Sequence, residues 1–306
     1  MKVIVFGSTG FIGLPVAHAL VRNGHQVYGV SRSEKNAQLM RANEIIPLIG
    51  DIFDPATWEK HLVDADVVVD CAAGDIATNA RRLFQVVTSS AARIRPGNRG
   101  TYSKLAYIYT SGTWVHGEER SQLRSDASLP TPPLLVAWRP AVEDEVVKSE
   151  IVRGIVIRPS LVYGRQGSLF SSLFAQATPS VEKVEWFGTP GGSYALVHVD
   201  DLADCFLRAV EKNHLISGLI LDCTNERTES VDGILYAFAT VVGVSLDKVT
   251  YRPPANVLEE AMAVTTRLRP TLARALLGWE PRKAGLVDGM VTYLEAYKGS
   301  ISTLLY

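Results

Sequence analysis

Val3-Ile4-Val5-Phe6-Gly7-Ser8-Thr9-Gly10-Phe11-Ile12-Gly13 decides the fold, because an apolar run stops at three spaced glycines and restarts as a helix. Val3 to Phe6 reads as a short buried strand, and Leu14 to Val21 carries helical apolar spacing that ends at Gly24. Each glycine has its own task in such a turn: one adopts positive φ, one lets a diphosphate approach bare backbone, and one lets the helix pack tightly on the strand. An anion there meets the free N–H groups and the dipole of a helix N-terminus. Small residues also serve tight strand-to-helix turns that bind nothing. The context favours a nucleotide, since a second strand, Gln26 to Val30, follows as a βαβ unit requires.

Working outward, the second strand ends in Ser31-Arg32-Ser33. An NAD site of this design usually has an acidic residue here for the ribose 2′-hydroxyl, whereas arginine accommodates a 2′-phosphate. Ser31 and Arg32 therefore predict NADP(H) in preference to NAD(H), against a solvated surface arginine. A third strand leads from Asn43 into Asp51-Ile52, where an adenine edge is expected, and a helix carrying Trp58 and Leu62 follows. Asp66 to Cys71 is a continuous apolar strand of the kind buried on both faces of a parallel sheet, and Ala72-Ala73-Gly74 at its end leaves room for a cofactor against backbone.

Thr78 to Ala92 reads as a helix and Arg93 to Gly100 as a loop. Leu105 to Tyr109 is a central strand running into Thr110-Ser111-Gly112-Thr113-Trp114-Val115-His116-Gly117, a polar loop at the carboxyl end of a strand, where open α/β sheets bind ligands. Glu118 to Pro133 is polar and proline-rich, a surface loop; Val142 to Glu150 has helical spacing; Gly154 to Gly164 is a buried strand and its end. Beyond it, helices are expected at Ser168–Ala177, Leu202–Glu211, Val231–Val242, Leu258–Ala263 and Leu286–Tyr297, with a strand at Gly218–Asp222. The fold class is α/β, a doubly wound parallel sheet with a smaller, partly interleaved C-terminal lobe. Residues 1–163 with about 195–224 form the dinucleotide-binding domain, and residues 164–194 with 225–306 the substrate-binding lobe.

The totals restrict the alternatives. With 31 basic against 32 acidic side chains, interspersed along 306 residues, there is no basic footprint for nucleic acid. No stretch approaches the roughly 18 apolar residues of a membrane span, and the first residues are too briefly apolar for a signal peptide, so a soluble, cytoplasmic protein is expected. Cys71, Cys205 and Cys223 lack metal or disulfide spacing and read as small buried residues, the six histidines are scattered, and no metal site is expected.

Together these motifs resemble the extended short-chain dehydrogenase/reductase superfamily of the NAD-dependent epimerase/dehydratase type. Gly7-Ser8-Thr9-Gly10-Phe11-Ile12-Gly13 is similar to its phosphate loop, Asp51-Ile52 to its adenine contact, and Ala72-Ala73-Gly74 to its small-residue strand end. Ile157-Arg158-Pro159-Ser160-Leu161-Val162-Tyr163-Gly164 resembles the segment beside the nicotinamide, so the resemblance adds Pro159 and Val162 to the cofactor residues. Val197-His198-Val199-Asp200-Asp201-Leu202-Ala203 and Leu277-Gly278-Trp279-Glu280-Pro281 resemble structural signatures of the same superfamily. Its members are often dimers, which makes a homodimer an expectation by resemblance alone.

Catalysis is where this chain departs. The family relays a proton through Tyr-x-x-x-Lys beside a Ser or Thr, and none of the eleven tyrosines here has lysine four residues on. Aligning Val115-His116-Gly117 with the family's Val-Tyr-Gly puts Gly112 at the hydroxyl position, and the expected catalytic helix reads Trp138-Arg139-Pro140-Ala141-Val142-Glu143. Candidate replacements are His116 as acid or base, Tyr163 as a proton donor, and Ser111 or Thr113 as hydrogen-bond donors to a substrate carbonyl. Each has a bland counterpart: a packed histidine, a core tyrosine, a turn-forming hydroxyl. Trp114, Trp138, Trp186 and Tyr194 are candidate lining for a small-molecule pocket, or core aromatics; Arg139 is a candidate partner for an acidic group, or a solvated arginine. The expected activity is an NADP(H)-dependent oxidoreductase acting on a small organic carbonyl or related double bond. The alternatives are a non-catalytic NADP(H)-binding regulator and a non-redox epimerase or dehydratase.

Overall fold

In the computed structural model, the residues described are 1–72, 74, 76–95, 104–166 and 168–303. Seven strands form one all-parallel sheet: β1 (Lys2–Phe6), β2 (Gln26–Ser31), β3 (Ile46–Ile49), β4 (Val67–Asp70), β5 (Ala106–Thr110), β7 (Arg153–Pro159) and β12 (Ile220–Cys223), ordered β3-β2-β1-β4-β5-β7-β12. Short strands β6 (Glu119–Arg124), β8 (Leu161–Tyr163), β9 (Val184–Phe187), β10 (Ser193–Tyr194), β11 (Leu196–His198), β13 (Glu229–Ser230), β14 (Val249–Arg252) and β15 (Thr266–Leu268) pair in twos outside it. The helices are α1 (Gly13–Arg22), α2 (Glu34–Ala42), α3 (Ile76–Ile94), α4 (Arg139–Val147), α5 (Ser171–Phe174), α6 (Val199–Glu211), α7 (Val231–Val242), α8 (Val257–Met262), α9 (Thr271–Leu277) and α10 (Met290–Thr303).

The strand order reverses at β1, so the carboxyl ends of β1 and β4 form the crevice where such sheets bind ligands. One apolar layer covers one sheet face with α1 and α6; the other face packs α3, Trp58 and the buried side of α4. A third cluster, built from Leu161 to Leu196 and Val231 to Leu294, forms a separate core. Its boundary departs from expectation in one place. Ala273, Leu277 and Trp279 pack into the sheet layer instead, because the Trp279 indole donates to the carbonyl of Asp201 and the Asp201 carboxylate accepts from Lys283 N, which fastens this segment to α6.

Other differences have local causes. The expected helix at Trp58 is two 3₁₀ turns, Pro55–Thr57 and Glu59–Leu62, which seat Trp58 edge-on against Phe6. Residues 118–133 are more than surface loop: β6 pairs with β15, and the Asp126 carboxylate accepts backbone N–H groups from Asp222 and Leu272. Helix is reduced to the single turn α5 within residues 168–177. Helix α4 starts earlier than its charge spacing indicates, with Pro140 in its first turn, where the missing N–H costs nothing. The last helix starts only at Met290, since Glu229 holds the N–H groups of Leu286 and Val287 in a turn. The loop expected at residues 93–100 lies mostly outside the described residues.

In the opening loop, a Cβ on Gly7, which has φ +76°, would overlap the Cys71 carbonyl, and one on Gly13 would overlap the Gly7 carbonyl. At Gly10 the nearest atom to such a Cβ is the Gly7 carbonyl oxygen, 3.2 Å away. Chain packing therefore demands glycine at the first and third positions, whereas the second has little but the loop's own turn beside it. We expect Gly13→Ala to lower the unfolding free energy by about 1–3 kcal/mol, the usual cost of overpacking. Gly10→Ala should lose less than about 1 kcal/mol while weakening dinucleotide binding at least tenfold. Urea unfolding and fluorescence titration check the pair; equal stability losses would remove the distinction.

Candidate active site

Helix α1 receives no side-chain cap and has no acidic residue in its first turn, which leaves its N-terminus suited to an anion. A cavity of about 510 Å³ lies over it, lined by Thr9, Gly10, Phe11, His18 and Arg165. At the end of β2, Arg32 projects with 82% of its side chain exposed, its guanidinium 3.8 Å from the Asp51 carboxylate. Asp51 is itself tied to Phe53 N, and Ile52 packs against the sheet layer. Ala72 stands at the end of β4 beside Gly7, with Gly74 beyond it; Ala73, named with them, lies outside the described residues.

A second cavity of about 120 Å³ joins the loop to the other candidate segment, with Ile12, Ser111, Thr113, Arg139, Ser160 and Val162 among its lining. Gly112, Trp114 and Pro159 complete the wall next to them. The structure thus brings together Ile12, Ser111, Thr113, Trp114, Pro159 and Val162 out of the candidates read from the sequence.

The remaining candidates are placed elsewhere. His116 is fully buried, with Nε2 2.8 Å from the Asp222 carboxylate, and it lines neither cavity. The Tyr163 hydroxyl donates to the Ala284 carbonyl and accepts from Asn225 Nδ2, while its ring packs edge-on against His198 and Tyr293. Burial pushes that phenol far above its ordinary range, which holds its proton in place. Trp186 donates to the Tyr194 hydroxyl, and both belong to the core of the lobe, where large aromatics fill volume. Trp138 packs on the sheet layer with its indole bonded to the Leu135 carbonyl and its ring under the Arg139 guanidinium, 5.2 Å away.

An ionic network that sequence reasoning did not find supports the pocket. Glu143 of α4 accepts from Arg158 Nε at 2.9 Å and from a second guanidinium nitrogen at 2.5 Å, and Arg158 also lies 3.8 Å from Asp222. The Ser111 hydroxyl donates to the same Glu143 at 2.5 Å. Its proton is committed there, so the Ser111 oxygen faces the pocket side as an acceptor, with Arg139 Nη1 at 3.4 Å. The helical spacing Arg139–Glu143 was the only sequence signal for this arrangement, and it does not reveal a partner on β7.

Three free cysteines are buried, and among the described residues no group of three or more His, Cys, Asp or Glu is placed to hold a metal ion. No helix among them is long and apolar enough to cross a membrane.

The parallel sheet with a glycine loop at its switch point defines the class, a Rossmann-type α/β protein. Residues 3–92 match the model of the NAD dependent epimerase/dehydratase family. The protein C2A9.02 of Schizosaccharomyces pombe is 26% identical over 301 residues, covering 95% of this chain and 99% of its own. The sterol-4-alpha-carboxylate 3-dehydrogenase, decarboxylating, of Dictyostelium discoideum is 23% identical, covering 69% of this chain and 68% of its own. Among solved structures, UDP-glucuronic acid 4-epimerase from Bacillus cereus, in complex with UDP-glucuronic acid and NAD, has a TM-score of 0.77 at 20% identity, covering 98% of this chain and 99% of that one.

Asp70, at the end of β4, is buried, accepting from the Tyr107 hydroxyl at 2.7 Å and from Ala72 N at 3.0 Å. Burial pushes its carboxyl up from 3.8 to about 6, despite both hydrogen bonds. The folded state therefore holds this proton more tightly than the unfolded chain. The stability it contributes is complete below the unfolded value and is lost as pH rises from about 4 to about 6. Asp70→Asn can keep the bond from Ala72 N, can meet Tyr107 by donating to its hydroxyl oxygen, and cannot ionise. Its unfolding free energy relative to the unsubstituted protein should rise by roughly 3 kcal/mol across that interval and stay level above it. Parallel pH profiles by denaturant unfolding would contradict this reading.

Proposed function

We propose that this chain is an NADP(H)-dependent oxidoreductase that reduces a small organic carbonyl or related double bond without the usual tyrosine and lysine. The observation that carries the reading is the small, mostly apolar cavity with a few polar groups, bounded by Ile12 of the glycine loop and by Pro159 to Val162, the segment that lies beside the nicotinamide in the superfamily it resembles. The residues present suit the dinucleotide: bare backbone at Gly10, an uncapped helix N-terminus, and the small residues Ala72 and Gly74. The relative from Dictyostelium is named as a dehydrogenase, which agrees with redox chemistry.

Arg32 is the residue proposed to choose NADP(H), because its guanidinium is exposed and only loosely held by Asp51, free to meet a 2′-phosphate. Gly10 and the first turn of α1 hold the diphosphate. Reduced nicotinamide, when bound, would supply hydride to the carbonyl carbon, and solvent water would supply the proton that the carbonyl oxygen takes up. The chain's own part is to orient the acceptor and stabilise charge on its oxygen: Thr113 is the pocket hydroxyl next to the family's hydroxyl position, and Ser111 is occupied by Glu143. Positioning of this kind contributes on the order of 7–11 kcal/mol in well-oriented reactions. His116 and Tyr163 are proposed to be structural, which predicts no loss of a titrating step in the pH–rate profile when either is replaced by Phe.

Fluorescence titration of NADPH and NADH, followed by a screen of aldehydes, ketones and oxo acids for NADPH oxidation, tests the proposal. NADPH should bind more tightly than NADH, and Arg32→Ala should reduce that preference about tenfold or more, the scale of one charge-assisted contact. An unchanged preference would refute the role of Arg32. Tight binding with no turnover across the whole panel would favour a cofactor-binding regulator, which the missing Tyr-x-x-x-Lys also suits.

A further inference from the structure

Two residues lining the small cavity each hold a buried polar atom with no hydrogen-bond partner among the described residues: Arg139 Nε and Ser160 Oγ. Buried polar groups are nearly always satisfied, so two of them in residues that line one cavity need an explanation. Charge gives the direction. The two carboxylates of the network face Arg158, Glu143 by a bidentate pair and Asp222 at 3.8 Å, and Asp222 also bonds His116. Arg139 hydrogen-bonds the neutral Ser111 oxygen at 3.4 Å and lies over the face of Trp138, while Glu143 and Tyr109 act on its charge without a hydrogen bond to it.

Gly112 bears on the same arrangement. Its φ of 178° is extended backbone open to any residue, so conformation does not require glycine. The atom nearest to where its Cβ would stand is Arg139 Nη1, at 3.2 Å. The guanidinium thus borders the space that a side chain at the family's hydroxyl position would enter, and Trp138 supports it from below.

We infer that this cavity binds the carboxylate of its substrate, so that the substrate class is a small oxo acid. Arg139 and Ser160 donate to the carboxylate oxygens, the donor set that a planar anion with two acceptors matches, and Thr113 is left for the carbonyl to be reduced. The cavity of about 120 Å³ suits a molecule of a few heavy atoms. This inference rests on the oxidoreductase reading for the carbonyl and on the cavity alone for the carboxylate.

The test is binding, read by ligand-observed NMR with 2-oxobutanoate and with butanone, its uncharged counterpart. Both are titrated with and without NADP⁺, in which no reduction can occur. The acid should bind at least about tenfold more tightly than the ketone, and Arg139→Met should bring the two within about threefold. Ser160→Ala should weaken the acid about threefold or more and leave the ketone unchanged, and it supplies the answer if Arg139→Met does not fold. Gly112→Ser, which crowds the guanidinium, should likewise weaken only the acid. Equal affinities in the unsubstituted protein, or a preference that survives both Arg139→Met and Ser160→Ala, would overturn the inference. Failure of NADP⁺ to bind would sink the redox reading instead, while the acid-to-ketone ratio still decides this one.

Discussion

The constraint on which the active-site end of the sheet depends is the burial of Arg158. A guanidinium only 3% exposed must find carboxylates inside the protein, and it takes Glu143 from α4 and Asp222 from β12. Those two acids also receive Ser111 and His116 from the segment after β5. One cation therefore fixes α4, β5, β7 and β12 relative to each other at the place where the sheet opens. Removing one partner of such a pair typically costs about 3–5 kcal/mol, because the other is left buried and uncompensated. The same contacts withdraw His116 from the cavity and turn the Ser111 proton away from it.

The glycine loop is governed by backbone sterics instead. Gly7 lies against the end of β4 and Gly13 against Gly7, so the strand-to-helix turn is as tight as the chain allows. That closeness holds the N-terminus of α1 at the strand ends, and the absence of a capping side chain there leaves the donors of the first turn for an anion. Gly10 is the position least constrained by packing, in keeping with a residue kept small for a visitor.

The parallel sheet was legible because its information is local: apolar runs, spaced glycines and strand-end small residues each announce themselves within a few positions. Helix α7 was read at its exact limits, Val231–Val242, since Ser230 caps it and Gly243 ends it in the left-handed conformation. What was not legible depends on distant partners. Strand β6, with the sequence Glu-Arg-Ser-Gln-Leu-Arg, has no strand signature and exists because residues 266–268 lie beside it. The aromatic residues divided by packing, Trp114 to the cavity and Trp186 with Tyr194 to the core, and composition alone cannot separate those fates. Likewise, nothing in the interval between Glu143 and Asp222 foretells that one arginine joins them.

The missing catalytic residues also read differently once the network is in view. A crevice that has lost all need for a ligand has little reason to keep in its wall a cation that hydrogen-bonds no carboxylate, since a buried guanidinium so placed is costly and an apolar side chain of similar size would cost less. Burial does lower the proton affinity of Arg139, as expected for a charge deprived of water, although arginine remains charged. Helix α4 is anchored to β7 and to the sheet layer by Glu143 and Trp138, so Arg139 is not what holds it there. The glycine at position 112 that admits the guanidinium, the indole that supports it, and the unpartnered Ser160 across from it place the unmet demand inside a cavity, where an incoming anion can meet it.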